Sequence, residues 1–418
     1  MNSLADSRPP ADAPAPSAAV QQQVASLAGL PQVRTAWEWF GSHARDLTET
    51  QMELTRVPAP PFGEAHRAEW LRARFVHLGL DEVHIDEAGN VLGIRPGAVP
   101  GSKFVALTAH IDTVFPAGTP INVHRDGGRL LGPGISDNSS GITAMLAVIS
   151  ALNAARIATA APILFIGNVG EEGEGDLRGM RYIFNHPRWK DAIAYTLVVD
   201  GGGADTIITE GIGSRRFLAT IHGPGGHSWS DFGTPNPITL LARAIDQFSR
   251  IPMQNASRSA FNIGVISGGT SVNSIPESAS MKVDIRSAAP SELDRLEHAL
   301  RDALVQATTS ANPVDRKSSL VGYELKQIGN RPAADLNPNA HILQVMRSVD
   351  AQLGIASRQQ RASTDANIPL SMGKEAVALG GGGTGGGAHT LHEWYDPTNR
   401  ALGLRRIVLA VLALAGMK

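Results

Sequence analysis

Three apolar runs of this chain end in side chains able to bind a metal or move a proton. Residues 104–109 lead into His110-Ile111-Asp112, residues 163–169 into Glu171-Glu172, and residues 195–199 into Asp200. A fourth carboxylate, Asp137, precedes Asn138-Ser139-Ser140-Gly141 at the head of a helix-period stretch. Taken singly, each has an ordinary explanation: Asp137 as a helix N-cap, Glu171, Glu172, Glu174 and Asp176 as a solvated acidic loop, His110 as a buried histidine. Together, at the carboxyl ends of successive parallel strands, they converge where open α/β sheets bind ligands. Carboxylates gathered in a partly buried cleft repel one another unless a cation compensates. His110 and these acids are nitrogen and oxygen donors suited to zinc, manganese or cobalt. Asp112, two residues beyond His110, is placed to accept the imidazole's other N–H.

The elements that must position these groups follow from the hydrophobic pattern. Residues 27–80 have helical spacing, interrupted at 58–63, and short apolar runs follow at 83–86, 91–94 and 104–109. The last is almost continuously apolar, as expected of a strand covered on both faces, and 163–166 and 195–199 repeat it around a helix-period stretch at 141–155. Strand and helix alternate, which is an α/β pattern with a mostly parallel sheet flanked by helices. From about Gly213 the style changes. Residues 217–221, 261–266 and 280–285 alternate like half-buried strands around helical stretches at 237–250 and 293–307, which predicts an inserted α+β domain. After about Gly329 the first style returns, with a helix at 340–353, a strand at 376–379 and a closing helix at 400–415. The expected division is a disordered tail over 1–26, a catalytic domain in two parts (27–213 and 329–418), and an inserted lid domain over 214–328. The glycine-rich run 380–387 reads as a mobile loop.

Composition narrows the chemistry. With 37 basic against 39 acidic residues the formal charge is −2, which argues against nucleic acid or an anionic membrane held by bulk charge. The absence of cysteine removes disulfides, thiolate nucleophiles and Cys-type metal sites, so any metal sits on His, Asp and Glu. Residues 1–19 have no apolar core segment, so no signal peptide is expected and the cytoplasm is the default compartment. The apolar run 407–417 is too short to cross a bilayer. A nucleotide-binding oxidoreductase is poorly supported: Gly132-Pro133-Gly134 and 380–387 supply no placed G-x-G-x-x-G, and Glu375 after Gly373-Lys374 breaks a P-loop. No G-x-S-x-G elbow supports a serine hydrolase.

Five motifs, in order and spacing, resemble the co-catalytic metallopeptidases and deacylases of the M20 type, which include carboxypeptidase G, carnosinase-like dipeptidases, peptidase T and acetylornithine deacetylase. They are the H-x-D of His110 to Asp112, the Asp137 turn, Glu171-Glu172, Asp200 after its strand, and Ser363-Thr364-Asp365-Ala366 followed by the glycine run and Ala388-His389-Thr390-Leu391-His392-Glu393. The resemblance covers nearly the whole chain after about residue 30 and implies a zinc-exopeptidase-like fold. It also implies two divalent metals, zinc first and manganese or cobalt as alternatives. His110 and Asp200 would hold one, Glu172 and His389 the other, and Asp137 would bridge them. Glu171 becomes the general base, and Asp112 supports His110. His389 is preferred to His392 because it lies four residues before Glu393. Two such metals, about 3.5 Å apart, activate a bridging water and polarise a carbonyl, so the implied reaction is amide hydrolysis.

The inserted domain shares the resemblance through Gly223-Pro224-Gly225-Gly226-His227-Ser228 and through 268–276 with Asp284-Ile285-Arg286. The family's lid domain dimerises, its histidine stabilises the oxyanion, and its Asn and Arg hold a substrate carboxylate. Here these are His227, Asn273 and Arg286. An Arg fork suits a carboxylate, although Arg286 also suits a surface salt bridge with Asp284, and His227 an ordinary loop position. Aspartate at 200 and the run His389-Thr390-Leu391-His392-Glu393-Trp394 look more like the di- and tripeptidases than the deacylases. With short peptides, Asp365 or Glu393 either pairs with a free α-amine or only orients nearby groups. The expected protein is a homodimeric exopeptidase joined through the inserted domain. The alternatives are a deacylase of N-acyl amino acids and a catalytically silent dimeric scaffold.

Overall fold

The computed structural model describes residues 15–253, 258–311 and 321–418. They form two compact units, Met1–Gly211 with Asp335–Lys418, and Ile212–Ala334.

The larger unit is built on a mixed sheet in the order Asp81–Ile85, Val91–Arg95, Ile163–Asn168, Phe104–His110, Ile193–Val199, Glu375–Leu379 and Thr206–Gly211, with Arg358–Ala362 paired to the last of these. Its four middle strands, from Ile163–Asn168 to Glu375–Leu379, run parallel. Ala106, Leu107, Phe165, Ile166, Val198 and Val199 are fully buried, because helices cover both faces and leave no solvent side for polar alternation. Helix Ser139–Ala154 is buried nearly all round. On the other face, the helix Arg178–Asn185 packs Met180, Ile183 and Phe184 against Leu92, Ala106 and Leu164.

Two expectations are corrected. The stretch read as a tail contains the helix Ala18–Gly29, capped by Ser17, with Val20, Val24 and Leu27 buried. Its sparse i, i+4, i+7 row was hidden by the surrounding Ala and Gln; residues 1–14 of that expected tail lie outside the described residues. The glycine-rich run is also no loose loop. Residues 380–383 are buried, and a Cβ on Gly382 would lie 2.4 Å from the Arg400 carbonyl. Glycine is there because backbone packs on backbone. Strand Thr384–Gly386 then pairs with Trp394–Asp396.

The smaller unit is a four-stranded antiparallel sheet, ordered Ala260–Gly268, Ser278–Ser287, Gly213–His222 and Gly322–Arg331. Phe217, Ala219, Ile221, Met281 and Val283 alternate into a core closed by helices Pro237–Ser249 and Pro290–Thr309. Where the chain returns to the larger unit, the Leu336 N–H donates to the Thr209 carbonyl at 2.8 Å. The chain therefore comes back beside the strand from which it left.

Arg406 and Asp350 form a buried bidentate pair, with contacts of 2.6 and 2.8 Å and 0% and 3% side-chain exposure. Removing one partner leaves an uncompensated buried charge, which costs about 3–5 kcal/mol. Asp350→Ala is therefore expected to lower the denaturant midpoint of the larger unit markedly, and the double change Asp350→Leu with Arg406→Met to recover much of the loss. Equal midpoints for Asp350→Ala and the unaltered protein would show that the pair contributes nothing.

Candidate metal centre

The site begins with a turn. Helix Ser139–Ala154 takes Asn138, not Asp137, as its N-cap: Asn138 Oδ1 accepts from the Gly141 N–H at 3.0 Å. The same side chain donates to the Val199 carbonyl at 2.8 Å and accepts from the Gly201 N–H at 3.1 Å, so it grips the backbone on both sides of Asp200. A Cβ on Gly141 would sit 2.2 Å from Asn138 Oδ1 and 2.6 Å from the Val199 carbonyl. Only glycine fits there. From the opposite side, buried Glu393 accepts the N–H groups of Gly134, Ser136 and Asp137, each at 2.8 Å. Burial raises its carboxyl to about 7 against the pull of those three donors.

With its backbone gripped in this way, Asp137 is left with a free carboxylate between two imidazoles. Its Oδ1 lies 3.1 Å from His110 Nε2 and its Oδ2 lies 3.3 Å from His389 Nε2. Asp200 Oδ1 is 3.6 Å from His110 Nε2, and Glu172 Oε1 is 3.0 Å from His389 Nε2. Two three-residue groups able to hold a cation result, His110-Asp137-Asp200 and Asp137-Glu172-His389, and they share Asp137. His392 belongs to neither group among the described residues.

The electrostatics fit a cation. Burial opposes charge on His110, yet Asp112, Asp137 and Asp200 hold its pKa well above the ordinary imidazole value. His389 is raised to about 10 by Asp137 and Glu172. Burial would raise Asp137, but the two imidazoles hold it far below the usual carboxylate range. His110 Nε2 and Asp137 Oδ1 are buried and make no hydrogen bond although they face each other. Leaving such atoms unsatisfied costs about 1–3 kcal/mol each, and a divalent ion between them would satisfy both. The donor set, two imidazoles and three carboxylates, is one that zinc accepts.

The groups around this centre are fixed by hydrogen bonds. His110 Nδ1 lies 3.1 Å from the Asp112 carbonyl oxygen and 3.6 Å from the Asp112 carboxylate. The ring's second N–H therefore meets the backbone, not the side chain as the H-x-D spacing suggests. The Asp112 carboxylate instead accepts the Glu171 N–H at 3.0 Å and the Glu172 N–H at 2.8 Å, which orients the acidic pair. Glu171 itself is buried and stands outside both cation-binding groups. Arg67, also buried, donates to the Val57 and Ile111 carbonyls. Burial lowers its pKa to about 10, opposed by Asp112 and Glu393. Beneath the centre, Thr108 donates to Asn168, and Asn168 donates to Asp365 at 2.6 Å. Asp365 is pushed up to about 7 by burial, with Asp112 and Asp200 adding to the effect. Asp365 and Glu393 are both 0% exposed and bonded to neighbouring groups, which fits the orienting alternative rather than a pairing with a substrate amine.

In the smaller unit, His227 and Asn273 lie together. Strand Gly226–His227 pairs with Ser274–Ile275, and the Ser228 N–H donates to the Asn273 carbonyl at 3.0 Å. His227 Nδ1 accepts the Trp229 N–H at 3.2 Å, which leaves Nε2 to carry the proton of the neutral ring. Arg286 does not join them. It lies eight residues along the strand from Ser278, roughly 26 Å at ~3.3 Å per residue, and its Nε donates to Asp284 at 2.6 Å. Within one chain Asn273 and Arg286 form no common carboxylate site.

Asn138 and Arg67 were not read as supports of the site from the sequence, whereas Glu393 was read as either an amine partner or a group that orients its neighbours. The only signal was positional, since Glu393 closes the motif that starts at His389 and Asn138 follows Asp137 directly.

Comparison with known proteins agrees with this architecture. The pattern of Peptidase family M20/M25/M40 matches residues 106–413. A probable carboxypeptidase of Aspergillus clavatus is 29% identical over 243 residues, 52% of either chain. This chain spans about half the length of the curated relatives it matches. Aminopeptidase PepT of Bacillus cereus has the same fold at 22% identity, with a TM-score of 0.69 over 88% of this chain and 98% of its own. Human carnosine dipeptidase 1 does so at 14% identity, with a TM-score of 0.71 over 92% of this chain and 99% of its own. The matched segment contains every residue of both cation-binding groups, and the chain belongs to Peptidase family M20/M25/M40.

Proposed function

We propose that this protein is a dinuclear-metal exopeptidase that hydrolyses the amide bond of di- and tripeptides. The observation that carries the reading is the shared carboxylate: Asp137 offers one oxygen to His110 and the other to His389. His110, Asp137 and Asp200 would hold one divalent ion and Asp137, Glu172 and His389 a second, most simply zinc. When bound, such a pair polarises the scissile carbonyl and lowers the pKa of water. Glu171 takes the proton of the attacking water as the oxygen bonds to the carbonyl carbon. It then delivers that proton to the departing nitrogen as the C–N bond breaks. Asp112 positions Glu171 and Glu172 through their N–H groups. His227, with its proton on Nε2, is the donor for the developing oxyanion, a contact worth ~3 kcal/mol where it is preorganised. Asn273 and Arg286 would hold a substrate carboxylate, and their separation in one chain supports a homodimer through the inserted unit.

Peptide hydrolysis is favoured by the similar proteins, an aminopeptidase and a dipeptidase among the solved structures and probable carboxypeptidases among the curated proteins. A second reading, deacylation of N-acyl amino acids, gains from the burial of Asp365 and Glu393, which leaves neither to pair with a free amine. A cytoplasmic setting suits a chain without cysteine; no helix among the described residues is long and apolar enough to cross a membrane.

Three outcomes are expected. Glu171→Gln should lower turnover of short peptides by at least ~10²-fold, the usual scale of general-base catalysis, with zinc content by elemental analysis unchanged; full activity would remove Glu171 from its role. Glu393→Gln sets an amide N–H₂ against backbone donors. It should weaken zinc binding by about 10–100-fold, as loss of a group that orients metal ligands does, and unchanged affinity in chelator competition would contradict it. Finally, at pH 7 His389 lies below its raised pKa of about 10 and carries a proton without metal, and His110 is shifted in the same direction, whereas metal ligation needs neutral nitrogens. Zinc uptake should release protons and weaken as pH falls, measured by calorimetry in buffers of different ionisation enthalpy. Uptake without proton release would refute the ligand set.

A further inference from the structure

Phe62 is the most exposed large apolar side chain of the larger unit among the described residues, at 67%. It also has φ +69°, in the left-handed region that a bulky residue rarely occupies. An exposed aromatic ring held in a costly backbone conformation gains little from burial in the free chain, and such strained residues concentrate at functional sites.

The surroundings of Phe62 fix both its conformation and its position. The Phe62 N–H donates to Glu64 at 3.0 Å, and Glu64, 4% exposed, is clamped by Arg178 through two bonds of 2.9 and 2.8 Å. The Arg178 guanidinium carbon sits 4.9 Å from the centre of the Phe62 ring, a cation–π contact. Arg178 in turn lies against Gly170, where a Cβ would come within 2.2 Å of its Nη1. Gly170 immediately precedes Glu171. The other side of the loop is tied to the metal-ligand strand: the Thr113 N–H donates to the Ala59 carbonyl at 2.8 Å, and Arg67 joins the Val57 and Ile111 carbonyls. The ring is therefore held two contacts from Glu171, on a loop bonded to the segment that carries His110 and Asp112. Arg178 occupies part of its surface and the rest is open.

We propose that Phe62 is a specificity-determining residue, an apolar platform for a large aliphatic or aromatic side chain flanking the scissile amide, with Glu64 and Arg178 as the residues that position it. This rests on the reading of the chain as a hydrolase of short peptides and names the class of peptide it prefers. Burial of a leucine side chain against a fixed ring discriminates by about tenfold or more against alanine.

The test compares kcat/KM of the full chain, supplied with zinc, on Leu-Ala, Ala-Leu and Ala-Ala. For the unaltered protein, the better leucine peptide should exceed Ala-Ala by about tenfold. Phe62→Ala should collapse that ratio, mainly through KM, and Phe62→Leu should restore most of it, with zinc content equal in all three proteins. A ratio that survives Phe62→Ala, or that falls equally in Phe62→Leu and Phe62→Ala, overturns the assignment. An unaltered protein inactive on all three peptides would overturn the hydrolase reading itself, a different result.

Discussion

One carboxylate has to face two ways. Asp137 can present an oxygen to each imidazole only if its backbone is held still against strong local repulsion and desolvation, and much of the larger unit serves that requirement. Glu393 takes three consecutive-turn N–H groups from one side, and Asn138 fastens the turn to the end of the neighbouring strand from the other. Neither of these residues belongs to a group able to hold a cation, yet both fix the backbone that carries Asp137. The division is chemically sensible: groups that hold the turn are satisfied by backbone partners, so the groups that face the centre keep their lone pairs.

The same logic explains the charge balance. The five side chains able to hold a cation lie close to Asp112, Glu171, Asp365 and Glu393, and buried Arg67 interacts electrostatically with Asp112 and Glu393. Burial raises the carboxyls of Asp365 and Glu393, with other acids adding to the effect, whereas the two imidazoles depress Asp137. The acids around His110 and His389 favour the charged form of both rings, and the same acids would favour a cation between them.

Much of this was legible in the sequence, because continuous apolar runs ending in His110, Glu171 and Asp200 declare buried parallel strands and place their last residues at one edge. The inserted unit was legible for the opposite reason: its strands alternate, as one-sided sheets do, so the change in period marks the change in architecture. What escaped reading was carried by tertiary contacts without a local period. Glu393 looks like any acid until its distance from Gly134 is known, and the glycines at 380–383 look like slack chain until Arg400 and Gly203 are found against them. The helix Ala18–Gly29 escaped because three apolar residues in twelve make a stripe too thin to stand out from alanine. Arg286 shows a further limit. A motif match locates a residue in the strand order but not its distance from its supposed companion: Asn273 precedes the short strand Ser274–Ile275, whereas Arg286 sits at the far end of the next strand, Ser278–Ser287.

The return of the chain beside its point of departure, marked by the Leu336 to Thr209 hydrogen bond, means that the larger unit loses no strand where the insertion begins and ends. Its sheet is continuous across the seam, and all five side chains able to hold a cation lie outside the intervening segment. That segment could therefore change in length or shape without breaking any strand that positions them.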